Sequence, residues 1–167
     1  MKSQQQVIIH IDWDGPYPLD QIKGLNDRKT EKGVYQVYGT HPVYGKDVLL
    51  YIGRTSDQTF GKRILEEKWE YTNNYGDVKI YVGRLAGSTT PSNDTWVKEI
   101  DLAERLLIYS HKPAFNSMSI QTIPHQDLHN IHILNWGLFN QLMPEVSGLR
   151  WTKILDNMPN YEVYGEH

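Results

Sequence analysis

The chain has 167 residues, of which 39% are hydrophobic and 22% charged, a balance typical of one globular domain rather than of a disordered segment. It contains no cysteine, which excludes disulfide frameworks, zinc sites built from cysteine and thiol nucleophiles. No apolar run approaches the roughly 18–20 residues of a membrane-spanning helix, and residues 1–6 lack the apolar core of a signal peptide, so we expect a cytoplasmic protein with no membrane partner.

The formal net charge of −3 is unevenly distributed. Residues 117–167 carry the whole acidic excess, whereas residues 1–116 carry as many basic as acidic side chains. A net negative charge argues against a basic nucleic-acid scaffold. The balanced first two-thirds of the chain still leaves room for a locally basic site.

The first part of the chain predicts three strands and a short helix. Val7–Ile11 is rich in β-branched residues and indicates a strand, which Gly15–Pro18 would end. Leu19–Leu25 is predicted as a short helix. Gly33–Tyr38 and Asp47–Gly53 are dense in Val, Ile, Leu and Tyr. Because they are neighbours along the chain, we expect them to pair as an antiparallel hairpin.

The rest of the chain predicts two helices and two further strands. Phe60–Tyr71 is expected to be a helix with Thr59 as its N-cap. Val78–Val82 indicates a strand, Trp96–Ser110 a second helix and Ile131–Trp136 a late strand. The order of elements predicts an α+β fold, a small sandwich in which helices flank an antiparallel sheet.

Two tyrosines on the predicted hairpin are candidate site residues. Tyr35 and Tyr51 lie on neighbouring strands, so cross-strand pairing would place both phenols on one side of the sheet. The alternative is ordinary strand packing, because tyrosine favours strands and the chain has eleven of them.

Glu104 is the leading acidic candidate. On its predicted helix it is surrounded by apolar side chains, namely Ile100, Ala103, Leu107 and Ile108. A carboxylate in such a sector needs a cation, a metal or a proton, and its hard oxygen atoms suit Mg²⁺ or Mn²⁺. In the alternative, Glu104 lies at the edge of the apolar stripe and reaches solvent or pairs with a cation from another element.

Arg63 is the leading basic candidate. It lies beside the apolar stripe of the predicted helix, where its planar guanidinium matches the oxygen atoms of a phosphate. With Arg54 and Lys62 it forms the densest basic patch near the hairpin. The alternative is a structural i,i+4 pair between Arg63 and Glu67.

Together these residues resemble the GIY-YIG nuclease superfamily. Gly33–Tyr35 is similar to the first half of the motif, with valine in place of the usual isoleucine, and Tyr51–Gly53 matches the second half letter for letter. Arg63 falls on the following helix, where the family carries its arginine. Asp101–Asn116 is similar to the family's glutamate helix, with its terminal K-P-x-x-N segment.

The resemblance spans about residues 31–117 and implies both a fold and an activity. The implied fold is an α/β sandwich with a small central antiparallel sheet of about three strands flanked by helices. Residues 31–117 would be the nuclease-like core, with an N-terminal extension over 1–30 and a C-terminal extension over 118–167 packed on the core. The implied activity is metal-dependent hydrolysis of phosphodiester bonds in DNA, as in repair, recombination, mobile-element movement or restriction.

The resemblance also implies a role for each matched residue. Tyr35 would activate or position the attacking water, and Tyr51 would hydrogen-bond near the scissile phosphate. Arg63 would stabilise charge on the phosphoryl oxygens, and Glu104 would hold a single divalent ion, Mg²⁺ or Mn²⁺. Asn116 would buttress the site. The residues expected to contact the DNA beside this centre are Arg54, Lys62 and Gly53.

A base role for Tyr35 places a demand on its pKa. A tyrosine with an ordinary pKa, near 10, is a poor base at neutral pH. We therefore expect Arg54, Arg63 and the divalent ion to lower the pKa of Tyr35.

Two departures from the family pattern keep other functions open. Tyr51 follows Tyr35 by sixteen positions, a longer spacing than is common, and Glu67 stands where many members carry His or Tyr. The alternatives are a catalytically impaired nucleic-acid-binding module of the same fold, or a fold-only relative acting as an interaction domain. DNA is the expected partner. A homodimer or a separate DNA-binding partner would supply a second cut or additional affinity.

Overall fold

The computed structural model describes residues 5–67, 77–117, 126–151 and 164–165. Within these ranges the strands are β1 (Val7–Pro18), β2 (Gly33–His41), β3 (Gly45–Thr55), β4 (Lys79–Ala86), β5 (Ile131–Gly137) and β6 (Glu145–Ser147). The α-helices are α1 (Phe60–Glu66) and α2 (Asn93–His111). Short 3-10 helices span Leu19–Gly24, Gln126–Leu128 and Gly148–Trp151.

All six strands belong to one mixed sheet, which curls into a half-barrel in the order β3-β2-β4-β1-β5-β6. The predicted fold class, a sandwich with a small antiparallel sheet of about three strands flanked by helices, is therefore wrong. β1 lies in the middle of the sheet, antiparallel to β4 and parallel to β5. The segments predicted as extensions, residues 1–30 and 118–167, thus supply β1, β5 and β6 to this sheet.

The predicted antiparallel hairpin of β2 and β3 is confirmed. Tyr35 lies opposite Gly53 in its register, and the register shifts twice, between Val37 and Tyr38 and between Gly39 and His41. The strands are longer than predicted, since β2 continues to His41 and β3 begins at Gly45. β4 pairs with the other edge of β2, so β2 is covered by a strand on each side.

The sheet separates two apolar clusters. In one, Ile100 and Leu107 of α2 pack with Ile11 of β1 and Ile133 of β5. In the other, Phe60 and Ile64 of α1 pack with side chains of β2 and β4, namely Tyr35, Val37 and Val82. Because strand residues alternate between faces, neighbouring side chains of one strand enter different clusters, and α1 and α2 pack on opposite faces of the sheet.

The helices begin where short polar side chains cap them. Thr59 caps α1 as predicted, since its hydroxyl accepts a hydrogen bond of 3.3 Å from the backbone N–H of Lys62. α1 is described to Glu66, and residues 68–71 of the longer predicted helix lie outside the described residues. α2 begins at Asn93 with Ser92 as its cap. No helix in the described ranges is both long and apolar enough to span a membrane.

Candidate functional site

A cavity of about 620 Å³ opens at the β3 edge of the sheet. Its lining comes from the end of β3, the loop from β3 to α1, one side chain of α1, the inward face of α2 and the segment after α2. It collects predicted site residues from these separate elements: Tyr51, Arg54, Arg63, Glu104 and Asn116. Of the other predicted residues, Tyr35 and Gly53 lie buried behind this lining, and Lys62 is exposed on α1 outside it.

The two tyrosines lie on the face of the hairpin that α1 covers. Their ring centroids are 6.1 Å apart, and the ring planes are inclined by 42°. Tyr35 is fully buried, whereas Tyr51 is half-buried and lines the cavity. Among the described residues, the Tyr35 hydroxyl has no hydrogen-bond partner. A buried hydroxyl in this state retains an unused capacity to donate and accept a hydrogen bond.

Gly53 makes this packing of the tyrosines possible. A Cβ atom at this position would lie 2.5 Å from Cζ and from the hydroxyl oxygen of Tyr35, and 2.7 Å from Cε1 of Tyr51. Such separations are well inside van der Waals contact, so any side chain here would force both rings to move. The glycine of the Tyr51–Gly53 segment is therefore required by the close approach of two aromatic rings.

Burial keeps both phenols protonated at neutral pH. It raises the pKa of Tyr35 well above its ordinary value; Tyr51 adds to this increase and Arg63 opposes it. Burial also raises the pKa of Tyr51, with further increases from Glu67 and Glu104. Arg63 thus lowers the pKa of Tyr35 as expected, but desolvation outweighs it, so the net pKa of Tyr35 lies above and not below its ordinary value.

On the opposite side of the cavity, Glu104 of α2 binds a cation from another element. The Nε atom of Arg54 lies 2.9 Å from Oε2 of Glu104, and a terminal nitrogen of Arg54 lies 2.8 Å from Oδ1 of Asp101. Burial raises the pKa of Glu104 to about 7, and Arg54 opposes the increase. The pairing alternative considered for Glu104 is therefore the arrangement that the structure holds.

Asp101 and Arg105 extend this contact into an ionic chain. Arg105 binds Asp101 at 2.9 Å and Asp127 at 2.6 Å. Asp101 and Arg105 were not predicted as site residues, although with Glu104 they share one face of α2 at i, i+3 and i+4 spacing. That spacing indicates a charged face on α2. The contact between this face and Arg54 of β3 depends on how the strand and the helix pack together, which the spacing does not predict.

Arg63 also has an intramolecular partner. One of its terminal nitrogens lies 2.6 Å from a carboxylate oxygen of Glu67, one turn further along the chain. This is the i,i+4 pair considered as the alternative for Arg63. Its guanidinium still lines the cavity and is about one-third exposed, so the pair lies at the solvent boundary, where such contacts contribute little to stability.

Asn116 secures the strand beneath the cavity. Its side-chain oxygen accepts a hydrogen bond of 2.9 Å from the backbone N–H of Ile52, and its side-chain nitrogen donates one of 2.9 Å to the carbonyl of the same residue. The backbone N–H of Phe115 donates to the carbonyl of Leu50. The segment after α2 therefore completes the hydrogen bonding of β3 at the sheet edge and holds the backbone that carries Tyr51 and Gly53.

The acidic residues of the cavity fit a small, hard cation. Mg²⁺ typically takes one or two carboxylates from the protein and fills its remaining positions with water or substrate phosphate. Glu104 and Asp101 present such a pair, although both contact Arg54. In the described part of the chain, no group of three or more His, Cys, Asp or Glu side chains surrounds a metal-sized space.

No protein-family model, curated protein or solved structure matches the chain. The residues of the cavity are thus the basis for assigning it a chemistry. One of them had no signal in the sequence argument: the side-chain oxygen of Gln58, in the loop from β3 to α1, is buried and has no hydrogen-bond partner among the described residues.

Proposed function

We propose that the protein is a metal-dependent DNA endonuclease that hydrolyses phosphodiester bonds in a GIY-YIG-type site. The observation that carries this proposal is that Tyr51, Arg63 and Glu104, which come from β3, α1 and α2, line one cavity. Packing alone does not require the phenol of Tyr51, the guanidinium of Arg63 and the largely buried carboxylate of Glu104 to face the same cavity. These groups supply what phosphoryl transfer requires.

The guanidinium groups would stabilise the negative charge that builds up on the phosphoryl oxygens during the reaction. Water attacks phosphorus and loses a proton to the solvent, the bond to the leaving sugar oxygen breaks and that oxygen takes up a proton from the solvent, and in between negative charge builds up on the oxygens around phosphorus. A guanidinium binds such oxygens through two parallel N–H donors. Arg63 and Arg54 both line the cavity, so either guanidinium can bind a phosphate there once it exchanges its present carboxylate partner for the phosphate.

The phenols act in this proposal as neutral groups. Because burial raises their pKa values, Tyr35 and Tyr51 retain their protons at neutral pH. Tyr51, which faces the cavity, donates to a phosphoryl oxygen. Tyr35, whose hydroxyl lies behind the cavity lining, packs against the ring of Tyr51 and holds it in place, and it does not remove a proton from the attacking water.

Glu104 is the residue that would hold the divalent ion, Mg²⁺ or Mn²⁺. When bound, the ion would neutralise charge on the leaving oxygen. Asn116 contributes indirectly, since its two hydrogen bonds to Ile52 hold the strand that carries Tyr51.

The test compares Glu104→Gln with a matched variant, Glu99→Gln, on the same helix but outside the cavity. Plasmid and branched DNA are incubated with each protein, with and without Mg²⁺ or Mn²⁺. We expect metal-dependent cutting by the wild type and by Glu99→Gln, and a loss on the order of 100-fold in Glu104→Gln. Equal cutting by all three proteins would contradict the assignment of Glu104.

One observation favours a second candidate, a module that binds nucleic acid but does not cut. Arg63 is neutralised by Glu67, which stands where many GIY-YIG members carry His or Tyr. If the wild type is inert on every substrate yet retards DNA in a gel, the binding module is correct. If it neither cuts nor retards DNA, the cavity serves neither role.

A further inference from the structure

Arg54 forms an ion pair with Glu104, the carboxylate that would bind the metal ion in the proposed function. Its guanidinium spans Asp101 and Glu104, which lie one helical turn apart on α2, with contacts of 2.8 and 2.9 Å. The Glu104 side chain is 16% exposed, against 39% for Arg54, so the arginine lies on the solvent side of the acid. Among the described residues, Arg54 is the one cation in ion-pair contact with Glu104.

A divalent ion and Arg54 therefore compete for Glu104. Two cations held on one small carboxylate repel each other strongly in a partly buried site. An ion that binds Glu104 must displace the guanidinium, and a displaced guanidinium in this cavity needs a new anionic partner. A phosphate oxygen of DNA provides one, with the bidentate geometry that guanidinium prefers.

The neighbouring ionic contacts allow this exchange at little cost to the rest of the site. When Arg54 leaves, Asp101 keeps its contact with Arg105, which is itself anchored by Asp127 at 2.6 Å. Among the described residues Glu104 has no second cation in ion-pair contact, since Arg63 and Arg105 act on it only from a longer distance. The departure of Arg54 thus uncovers one acid and leaves the other paired.

We propose that Arg54 is an internal counter-ion that couples metal binding to DNA binding: it covers Glu104 in the free protein and moves to a DNA phosphate, which uncovers Glu104 for the ion. The proposal rests on the proposed function, because it takes DNA as the source of the phosphate. Coupling of this kind is reciprocal, so the ion strengthens DNA binding by the same factor by which DNA strengthens binding of the ion.

The first experiment uses the metal alone. Mg²⁺ is titrated calorimetrically at pH 8.5, where protons compete little for Glu104, into the wild type, Arg54→Met and Arg105→Met. The two variants lose the same charge from the same ionic chain, but only Arg54→Met uncovers Glu104. We expect Mg²⁺ to bind Arg54→Met about tenfold more tightly than the wild type and Arg105→Met within about twofold of it.

Arg54→Gln is a second variant that retains hydrogen-bond donors without the charge, and thermal melting checks the fold of each protein. Equal Mg²⁺ affinity of the wild type and both Arg54 variants would overturn the proposal, as would an equal gain in Arg105→Met. Absence of Mg²⁺ binding in all of them would overturn it too, because uncovering Glu104 would then create no site.

The second experiment adds a short DNA duplex, with a blank of duplex alone and a gel check that the duplex stays intact. We expect the duplex to raise the Mg²⁺ affinity of the wild type about tenfold and that of Arg54→Met by less than about twofold. An equal gain in both proteins would refute the coupling. If Arg54→Met binds Mg²⁺ more tightly but no protein cuts DNA, the nuclease proposal fails and the competition between Arg54 and the ion stands.

Discussion

The two sides of the cavity are held by different forces. On the hairpin side, Tyr35, Tyr51 and Gly53 are fixed by close packing, with two rings against a residue that has no side chain. On the α2 side, Arg54 and Glu104 are fixed by charge, through contacts that another ion or a phosphate can replace. The difference indicates that the tyrosine side is a rigid template, whereas the ionic side is the part of the site that rearranges on binding.

The largest effect should come from removing the hydroxyl of Tyr51, the one phenol among the described residues that lines the cavity. Tyr51→Phe deletes a hydroxyl that the proposed mechanism aims at the phosphate, and we expect DNA cleavage to fall on the order of 100-fold. Stability should change by less than about 1 kcal/mol, because the ring and its packing remain. Tyr44→Phe, at an exposed position in the turn of the hairpin, is the control and should cut normally. Unimpaired cleavage by Tyr51→Phe would show that the Tyr51 hydroxyl takes no part in the reaction.

Gly53→Ala tests whether the tyrosine side is rigid. The added Cβ atom would overlap both rings, and we expect a loss of about 1–3 kcal/mol in the free energy of unfolding in urea. Gly24→Ala is the matched control, since a Cβ atom there meets nothing within 4 Å, and it should change stability by less than about 0.5 kcal/mol. Equal stability of the two variants would mean that the rings adjust freely.

The ionic side should appear in the dependence of stability on pH. Since burial raises the pKa of Glu104 to about 7 in the folded protein, the native state holds this proton more tightly than the unfolded chain does. The resulting stability is present below the ordinary pKa of glutamate and is lost as the pH rises to about 7. Glu104→Gln lacks this loss, so its stability relative to the wild type should rise by roughly 3 kcal/mol between pH 4 and pH 8.

Urea unfolding across this pH range measures the difference. Glu66→Gln, on the exposed side of α1, is the control and should follow the wild type at every pH. A flat difference between Glu104→Gln and the wild type would show that Glu104 is well solvated. That result would also remove the reason for Glu104 to require a cation.

The hairpin side was also the part of the site that the sequence could predict. β2 and β3 are neighbours in the chain, and their apolar and tyrosine-rich runs indicate both the strands and their pairing. Thr59 and the helix that follows it are equally local features. Gly53 was found through its place in a motif, but the reason for it, the overlap with two rings, requires the structure.

The sheet and the ionic side depended on long-range contacts that sequence periodicity does not encode. The strand nature of β1 and β5 was predicted, but their positions beside β4 and beside each other were not. β6 is three residues long and was not predicted as a strand. Likewise, Arg54 and Glu104 were each singled out, yet their contact joins residues fifty positions apart in the chain.

The variant with the smallest expected effect tests whether Arg63 is fixed, like the tyrosine side of the cavity, or can exchange its partner, like the ionic side. Glu67→Gln removes the partner of Arg63 at a cost of only a few tenths of a kcal/mol, as is typical of an exposed i,i+4 pair. A released guanidinium adds one phosphate contact. We therefore expect the slope of log affinity for DNA against log salt to become steeper by about 0.9.

Glu66→Gln separates this release from a general loss of negative charge, because the two acids are adjacent and Glu66 lies on the exposed side of α1. Fluorescence anisotropy with a labelled duplex at several salt concentrations measures both slopes. If the two variants steepen the slope equally, Arg63 does not gain a phosphate contact, and the change reflects only the loss of one negative charge. If only Glu67→Gln steepens the slope, Glu67 restrains Arg63 as Glu104 restrains Arg54. Both guanidinium groups are then paired with a carboxylate in the free protein and bind phosphate when DNA is present.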